Sequence, residues 1–198
     1  MSDFPGGRNV VDMQRRRRIA LIAGLSVIVA AMVGTVATAL PVVMNMTTHM
    51  STAEEVPVPN FDAIARNPQG TTVLAVDRNG NLTYRLNVAN IENVTMAHIH
   101  LGPPGVPGPI VVWLYPNEAP LAPTPIPGFS NGPLTSGTIT DEDVNFGGNA
   151  SFPPVNTVAE LLAQVRAGNA YVNVHTVQNG PGEIRGQIQA RGPESHHH

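Results

Sequence analysis

Cysteine is absent from this chain of 198 residues, and lysine is absent as well. Without cysteine, the protein can have neither a disulfide framework nor a thiolate metal site. A transition-metal site would have to use histidine, methionine, carboxylate or amide side chains. Charged residues make up only 13%, whereas glycine and proline each occur 19 times. This composition indicates many turns and predicts an all-β domain rather than a helical one.

The few basic residues are distributed unevenly. Five of the 11 arginines lie in the first 18 residues, and beyond residue 40 the 12 acidic residues outnumber six arginines. No basic patch is available there to neutralise phosphates, so we expect no nucleic-acid partner. Residues 1–18, which end in four consecutive arginines, are predicted to be a basic cytoplasmic tip.

A run of 22 residues without charge, residues 19–40, follows those arginines. About 20 apolar helical residues cross the core of a bilayer. Because flanking arginines stay on the cytoplasmic side, we predict a single-pass cell-membrane anchor with the C-terminal domain outside the cytoplasm. Residues 37–39 also resemble a signal-peptidase site, so a cleaved signal segment and a secreted protein remain the alternative.

Two further segments are predicted to lie outside the folded domain. Residues 41–69 lack periodicity and are predicted to be a linker. Residues 192–198 form a tail whose last three histidines resemble the remnant of a purification tag, and we exclude them from functional reasoning.

The β-domain is predicted to span residues 70–191. Seven runs alternate with period two and are separated by turn residues, which favours an antiparallel Greek-key β-sandwich or barrel. The predicted strands are residues 72–76, 82–88, 94–101, 110–115, 134–139, 170–177 and 183–190. One short helix is predicted over residues 156–168, because Thr157 and Glu160 form a capping box and Gly168 is placed to end it. Residues 117–133 are predicted to be a long loop.

His98 and His100 lie two residues apart in one predicted strand, and His175 lies in another. Alternation places His98 and His100 on one face, opposite Ile99 and Leu101. The same pattern sends His175 and Arg185 outward from the core. Imidazole suits copper, zinc, nickel and iron, and three nitrogens leave an open coordination position. The alternative is that each histidine is a polar surface residue satisfied by backbone groups.

Three segments carry a family resemblance: AHIHLGPPGVPGPIVVWLY, LLAQVRAGNAYVNVHT and GEIRGQI. In this order they resemble the CHRD domain, named after chordin, over roughly residues 70–190. The resemblance implies an extracytoplasmic β-domain and assigns no chemistry. In chordin, such domains accompany growth-factor-binding modules, which makes a protein partner at the cell surface an expectation.

The histidine strands also resemble those of copper–zinc superoxide dismutases, in which a His-Val-His strand and a later Val-His strand hold copper. That resemblance implies a superoxide-dismutase-like fold and copper ligation by His98, His100 and His175. It implies that Arg185 guides anions. We expect Glu183 or Asn173 to complete or support a site with three histidines. The bridging histidine, the zinc ligands and the disulfide cysteines of those enzymes are missing here.

Three functions follow as hypotheses. The first is a membrane-anchored CHRD domain that binds copper for holding, delivery or redox chemistry. The second is a non-enzymatic adhesion or assembly module, consistent with Asn-x-Ser/Thr sequons at Asn45, Asn81, Asn93 and Asn149. The third, ranked lowest, is a superoxide dismutase. The residues do not decide whether the protein is an enzyme.

Overall fold

The computed structural model describes residues 44–57, 67–76, 80–118 and 121–191. These residues form eight strands and one α-helix, which confirms the all-β prediction with one short helix. In chain order the elements are β1 (Met44–Ser51), β2 (Gln69–Val76), β3 (Leu82–Leu101), β4 (Ile110–Tyr115), β5 (Ile126–Ile139), α1 (Val158–Arg166), β6 (Ala170–Thr176), β7 (Ile184–Gln187) and β8 (Gln189–Arg191).

The strands form one closed antiparallel barrel, with β3 as its longest member. Residues 82–89 of β3 pair with β2, and residues 94–101 pair with β6. Since the order β2–β1–β7–β6–β3 returns to β2, the sheet closes on itself. Closure removes the unpaired edges that an open sheet would leave exposed. Strand β5 pairs with the first part of β3, and β4 pairs with its last part.

Strand β3 joins two predicted strands, residues 82–88 and 94–101, into one element. The backbone bends between them at Asn90 and Asn93, which have φ angles of 55° and 52°. Asparagine tolerates this left-handed conformation better than most residues, and the pairing registers shift at the same place. A single strand therefore takes part in the barrel wall and also carries His98 and His100.

The linker predicted over residues 41–69 is wrong for residues 44–51. They form β1, which pairs with β2 along its whole length and contributes the buried side chains of Met46 and Met50 to the core. Less buried polar residues such as Thr47 and His49 alternate with the buried ones. The segment contains few apolar residues, so its period-two pattern was not recognised in the sequence. Glu55, also in the predicted linker, is buried.

Two other boundaries also differ from the prediction. The predicted loop 117–133 ends earlier, because β5 begins at Ile126 and pairs with β3. The predicted last strand, residues 183–190, is divided into β7 and β8. Strand β7 pairs with β6, whereas β8 pairs with β1. These residues were hard to assign from sequence because prolines and glycines are tolerated where a strand is bent or lies at an edge.

Helix α1 forms where the sequence predicts it. The Thr157 side chain accepts a hydrogen bond from the Glu160 amide at 3.2 Å, and the Glu160 carboxylate accepts one from the Asn156 amide at 2.8 Å. Gly168 has a φ angle of 74° just beyond the helix end. The apolar stripe of the helix is buried, at Val158, Leu161, Leu162 and Val165.

The predicted basic tip, the apolar segment 19–40 and the tail 192–198 lie outside the described residues. Within the described part of the chain, no helix has the length and apolar character needed to cross a membrane.

Candidate metal centre

The pairing of β3 with β6 brings the three histidines together. His98 lies opposite Asn173 in this antiparallel register, and the Met96 position lies opposite His175. His175 is therefore a diagonal neighbour of His98 on the same face of the sheet. The other face carries Ile99, which is fully buried in the hydrophobic core. The predicted alternation of core and histidine faces is confirmed.

One ring nitrogen from each of His98, His100 and His175 lies within 4.8 Å of the other two. The closest pair is His98 Nδ1 and His175 Nε2, separated by 3.0 Å. Two nitrogens that each lie about 2.0–2.1 Å from one ion are about 3 Å apart when the angle at the ion is near 90°. Three neighbouring imidazoles at this spacing could hold a metal ion.

Backbone carbonyls orient two of the rings. His100 Nδ1 donates to the Gly108 carbonyl at 2.9 Å, and His175 Nδ1 donates to the Gly180 carbonyl at 2.8 Å. A carbonyl can only accept, so both protons are on Nδ1 and both Nε2 atoms carry the lone pair. This is the arrangement in which outer hydrogen bonds fix the tautomer of metal-binding histidines.

The approach of the Gly108 carbonyl depends on the absence of a side chain at that position. A Cβ atom built on Gly108 would overlap the carbonyl oxygen of Leu101. The Leu101 amide also holds this segment in place, because it donates a hydrogen bond to the Pro109 carbonyl at 3.0 Å. The loop after β3 is thereby held close enough to meet His100.

The histidines are more deeply buried than outward projection from the sheet implies. His98, His100 and His175 are 1%, 7% and 5% exposed, because the loops around Gly108 and Gly180 cover them. Burial lowers the pKa of all three below its usual value, to about 4 in the case of His100. All three rings are therefore neutral at pH 7 and have a lone pair to offer.

The described residues do not supply a hydrogen-bond partner for the Nε2 atoms of His98 and His100, although both atoms are buried. Buried polar atoms usually have a partner, and one without a protein partner indicates a bound ion, water or functional strain. Here His100 belongs to the same group of three histidines as the close pair formed by His98 and His175.

Aromatic side chains enclose the cluster on two sides. Trp113 lies opposite His98 on β4, with the ring centroids 4.3 Å apart and the planes at 78°. Tyr171 is stacked on His100 with a centroid separation of 5.0 Å. Neither aromatic residue was singled out as a site residue by sequence reasoning, because a lone aromatic in a strand is most often part of the core.

Arg185 is buried beside Tyr171 and is only 1% exposed. Its Cζ atom lies 3.5 Å from the centre of the Tyr171 ring, and its Nη2 donates to the Pro103 carbonyl at 2.9 Å. Burial lowers the pKa of Arg185, but a guanidinium remains protonated in proteins. The anion-guiding role implied by the dismutase resemblance remains a prediction.

Glu183 does not lie among the three histidines but holds the loop that covers His175. Its carboxylate accepts hydrogen bonds from the side chains of Thr176, Gln178 and Asn179. The same loop presents the Gly180 carbonyl to His175. Glu183 thus supports the position of a candidate ligand from a distance.

Asn173 lies between the histidines and a second buried carboxyl group, Glu55. Its Nδ2 donates to the Pro181 carbonyl at 3.4 Å and to Glu55 Oε2 at 3.5 Å, both long hydrogen bonds. Burial raises the pKa of Glu55 to about 8, an effect that the charge of Arg185 opposes only in part. Sequence reasoning missed Glu55, and no pattern in residues 52–57 could have identified it.

A sequence model of the CHRD domain matches residues 46–188, well over half of the chain. The chain belongs to the CHRD domain family. The match begins within β1 and ends after β7, so the CHRD domain is the barrel itself and all three histidines lie inside it. Comparison with curated proteins and with solved structures gave no match.

Proposed function

We propose that this protein is a membrane-anchored CHRD domain, located outside the cytoplasm, that holds one copper ion through His98, His100 and His175. The observation that carries the proposal is the 3.0 Å approach of His98 Nδ1 to His175 Nε2 beside the unpartnered Nε2 of His100. Because His175 Nδ1 already donates to Gly180, one proton on His98 Nδ1 must lie between the closest pair in the metal-free protein. For His98 Nδ1 to bind a metal ion, this proton would move to the unpartnered Nε2 of the same ring, which leaves both facing nitrogens with a lone pair.

The donor set favours copper among the metals that imidazole binds. Within the described chain, the cluster contains nitrogen ligands and no carboxylate, whereas magnesium, calcium and manganese prefer oxygen. Among the divalent metals that suit imidazole, copper binds most tightly at a given site. Because the low pKa values keep these rings neutral at pH 7, protons do not compete with the metal for their lone pairs.

The burial of the ligands supports a role in holding copper or in passing electrons. A substrate that must coordinate the metal needs an open path to it, whereas the three imidazoles are less than 10% exposed. Copper could change oxidation state in such a site without binding a substrate directly. Delivery to a partner would require the covering loops to open.

Copper loading of the full chain in detergent solution tests the metal proposal, with His196, His197 and His198 replaced by serine to remove the tail as a competitor. We expect about one copper per chain by elemental analysis after gel filtration. His100→Ala and His175→Ala should abolish stoichiometric uptake. His49→Ala is the matched control, because His49 is exposed on β1 and outside the cluster.

A folded protein that takes up no copper, or a His100→Ala variant that retains it, would overturn the proposal. Binding of zinc in place of copper would overturn the choice of metal. With no metal bound at all, the hypothesis of a cell-surface interaction module would become the leading one.

The proposed location rests on the arginines at residues 15–18 and the apolar run at residues 19–40. In intact cells, an added protease should digest the CHRD domain while the N-terminus stays protected. N-terminal sequencing of the mature protein separates an anchor, which keeps residue 1 or 2, from a cleaved signal, which begins near residue 40.

A further inference from the structure

A surface pocket of about 470 Å³ lies beside β4, with Trp113 among its lining residues. Trp113 lines this pocket and also contacts His98 edge-on. The indole of Trp113 therefore lies between the pocket, which a small molecule can enter, and His98, a candidate metal ligand. The volume is within the range of small-molecule sites, about 300–1,000 Å³.

The lining of the pocket combines an apolar wall with hydrogen-bond acceptors. Ile110 and Leu121 contribute the apolar surface together with Trp113, whereas Glu142 and Asn117 contribute polar groups. This combination fits a flat organic ring that carries hydroxyl groups able to donate to a carboxylate. The negative charge of the lining opposes anionic molecules.

Glu142 is the acidic side chain best placed to accept a proton in the pocket. Its neighbour Asp143 uses its carboxylate to accept from the Thr140 amide and hydroxyl, both at 2.8 Å. Asp141 accepts from the Val158 amide at the start of α1, also at 2.8 Å. Both of these aspartates therefore stabilise backbone, while Glu142 is exposed and lines the pocket.

We infer that this pocket binds a neutral dihydroxybenzene of the hydroquinone class and that Trp113 passes one electron from it to copper held by the three histidines. The electron route rests on the proposed copper function, but the binding of the ring does not. In the step, one O–H bond of the hydroquinone breaks. Its proton goes to the Glu142 carboxylate, its electron reduces Cu(II) to Cu(I), and a semiquinone radical leaves.

Two observations support an electron route through Trp113 over one through solvent. The indole directly contacts the His98 ring, so no further residue has to carry the electron. His98 is only 1% exposed, so a reductant in solution cannot touch that ring. The indole thus provides a short tunnelling path between the pocket and the buried site, and Trp113 does not itself have to be oxidised.

Binding is tested first, in the metal-free full chain. Trp113 is the only tryptophan in the sequence, so its indole N–H gives one cross-peak in a ¹⁵N–¹H spectrum. Hydroquinone should shift this peak in a saturable manner. The compound 1,4-dimethoxybenzene has no hydroxyl group to donate a hydrogen bond to Glu142, and it should bind at least tenfold more weakly. Glu142→Gln should weaken hydroquinone binding, whereas Glu118→Gln, an exposed acid next to the pocket, should not.

Electron transfer is tested next, in copper-loaded protein, by following loss of the Cu(II) signal in a single turnover. Trp113→Phe replaces the indole with a smaller aromatic ring and so widens the gap that the electron must cross between the pocket and His98. It should retain full copper uptake and slow reduction by hydroquinone at least tenfold, while reduction by anionic ascorbate changes less than twofold. Absence of a saturable shift in the metal-free protein, or a wild-type reduction rate in Trp113→Phe, overturns the inference. Failure of the copper proposal shows itself separately, as missing copper uptake before any hydroquinone is added.

Discussion

His98 Nδ1 and His175 Nε2 lie 3.0 Å apart although 77 residues separate them in the chain. Neighbouring strands of the barrel hold the two rings, and the Gly180 carbonyl fixes the orientation of His175. The contact is therefore preorganised before any metal arrives. The site needs little rearrangement to bind an ion, and metal binding should be coupled to the stability of the barrel.

Copper should raise the unfolding temperature of the wild-type protein. A ligand that binds only the folded state at about 1,000 times its dissociation constant adds about 4 kcal/mol to the free energy of unfolding. His100→Ala should lose this increase, and His49→Ala should keep it. Thermal unfolding with and without copper measures the effect, and equal shifts in all three proteins would contradict it.

Gly108→Ala should weaken copper binding through the geometry of His100. The added Cβ overlaps the Leu101 carbonyl, so the loop must move and carry the Gly108 carbonyl away from His100 Nδ1. Loss of such an outer hydrogen bond typically costs 10–100-fold in metal affinity. Gly147→Ala is the control, because a Cβ there meets no atom within 4 Å. Competition with a chelator gives both affinities, and identical values would refute the argument.

Glu183→Gln should leave copper stoichiometry at about one per chain but lower the stability of the protein. The buried Glu183 side chain accepts three side-chain hydrogen bonds, and a typical hydrogen bond contributes about 0.5–1.5 kcal/mol to stability. Denaturant unfolding of the metal-free protein should show a loss of about 2 kcal/mol or more. Loss of copper with unchanged stability would instead indicate that Glu183 is a ligand.

Glu55→Gln should change how the stability of the metal-free protein depends on pH. The pKa of Glu55 is about 8 in the folded protein and 4.5 in the reference state, so between these values the folded state binds the extra proton. Stability contributed by Glu55 is present below pH 4.5 and decreases as pH rises toward 8, by about 1.4 kcal/mol per pH unit. The stability of Glu55→Gln lacks this dependence on pH. The stability of the variant relative to wild type should therefore increase from pH 5 to pH 8.

The histidines contribute to the same pH profile with the opposite sign. Their folded pKa values lie below 6.5, so the unfolded chain binds more protons and stability is lost as pH falls below 6.5. Because both proteins contain these histidines, their contribution cancels in the difference between Glu55→Gln and wild type. Denaturant unfolding at one-unit intervals measures that difference. A difference independent of pH would contradict the burial effect on Glu55.

Local sequence determined those features that depend on neighbouring residues. Period-two alternation alone placed His98 and His100 on one face and Ile99 on the other, because successive strand side chains point to opposite sides. Thr157, Glu160 and Gly168 determined helix α1 in the same way, since capping groups act within a few residues. These predictions needed no knowledge of the fold.

The closed barrel decided the rest. The pairing of β3 with β6 brings His175 beside His98. The loops around Gly108 and Gly180, together with Trp113 and Tyr171, bury the rings, and this burial lowers their pKa values. The burial of Glu55 likewise depends on residues more than 100 positions away, including Asn173. Contacts between distant residues are set by which strands pair and by how the sheet closes, and local patterns carry no record of either. The residues of the candidate site could therefore be found in the sequence, but their convergence, burial and protonation were decided by the tertiary structure.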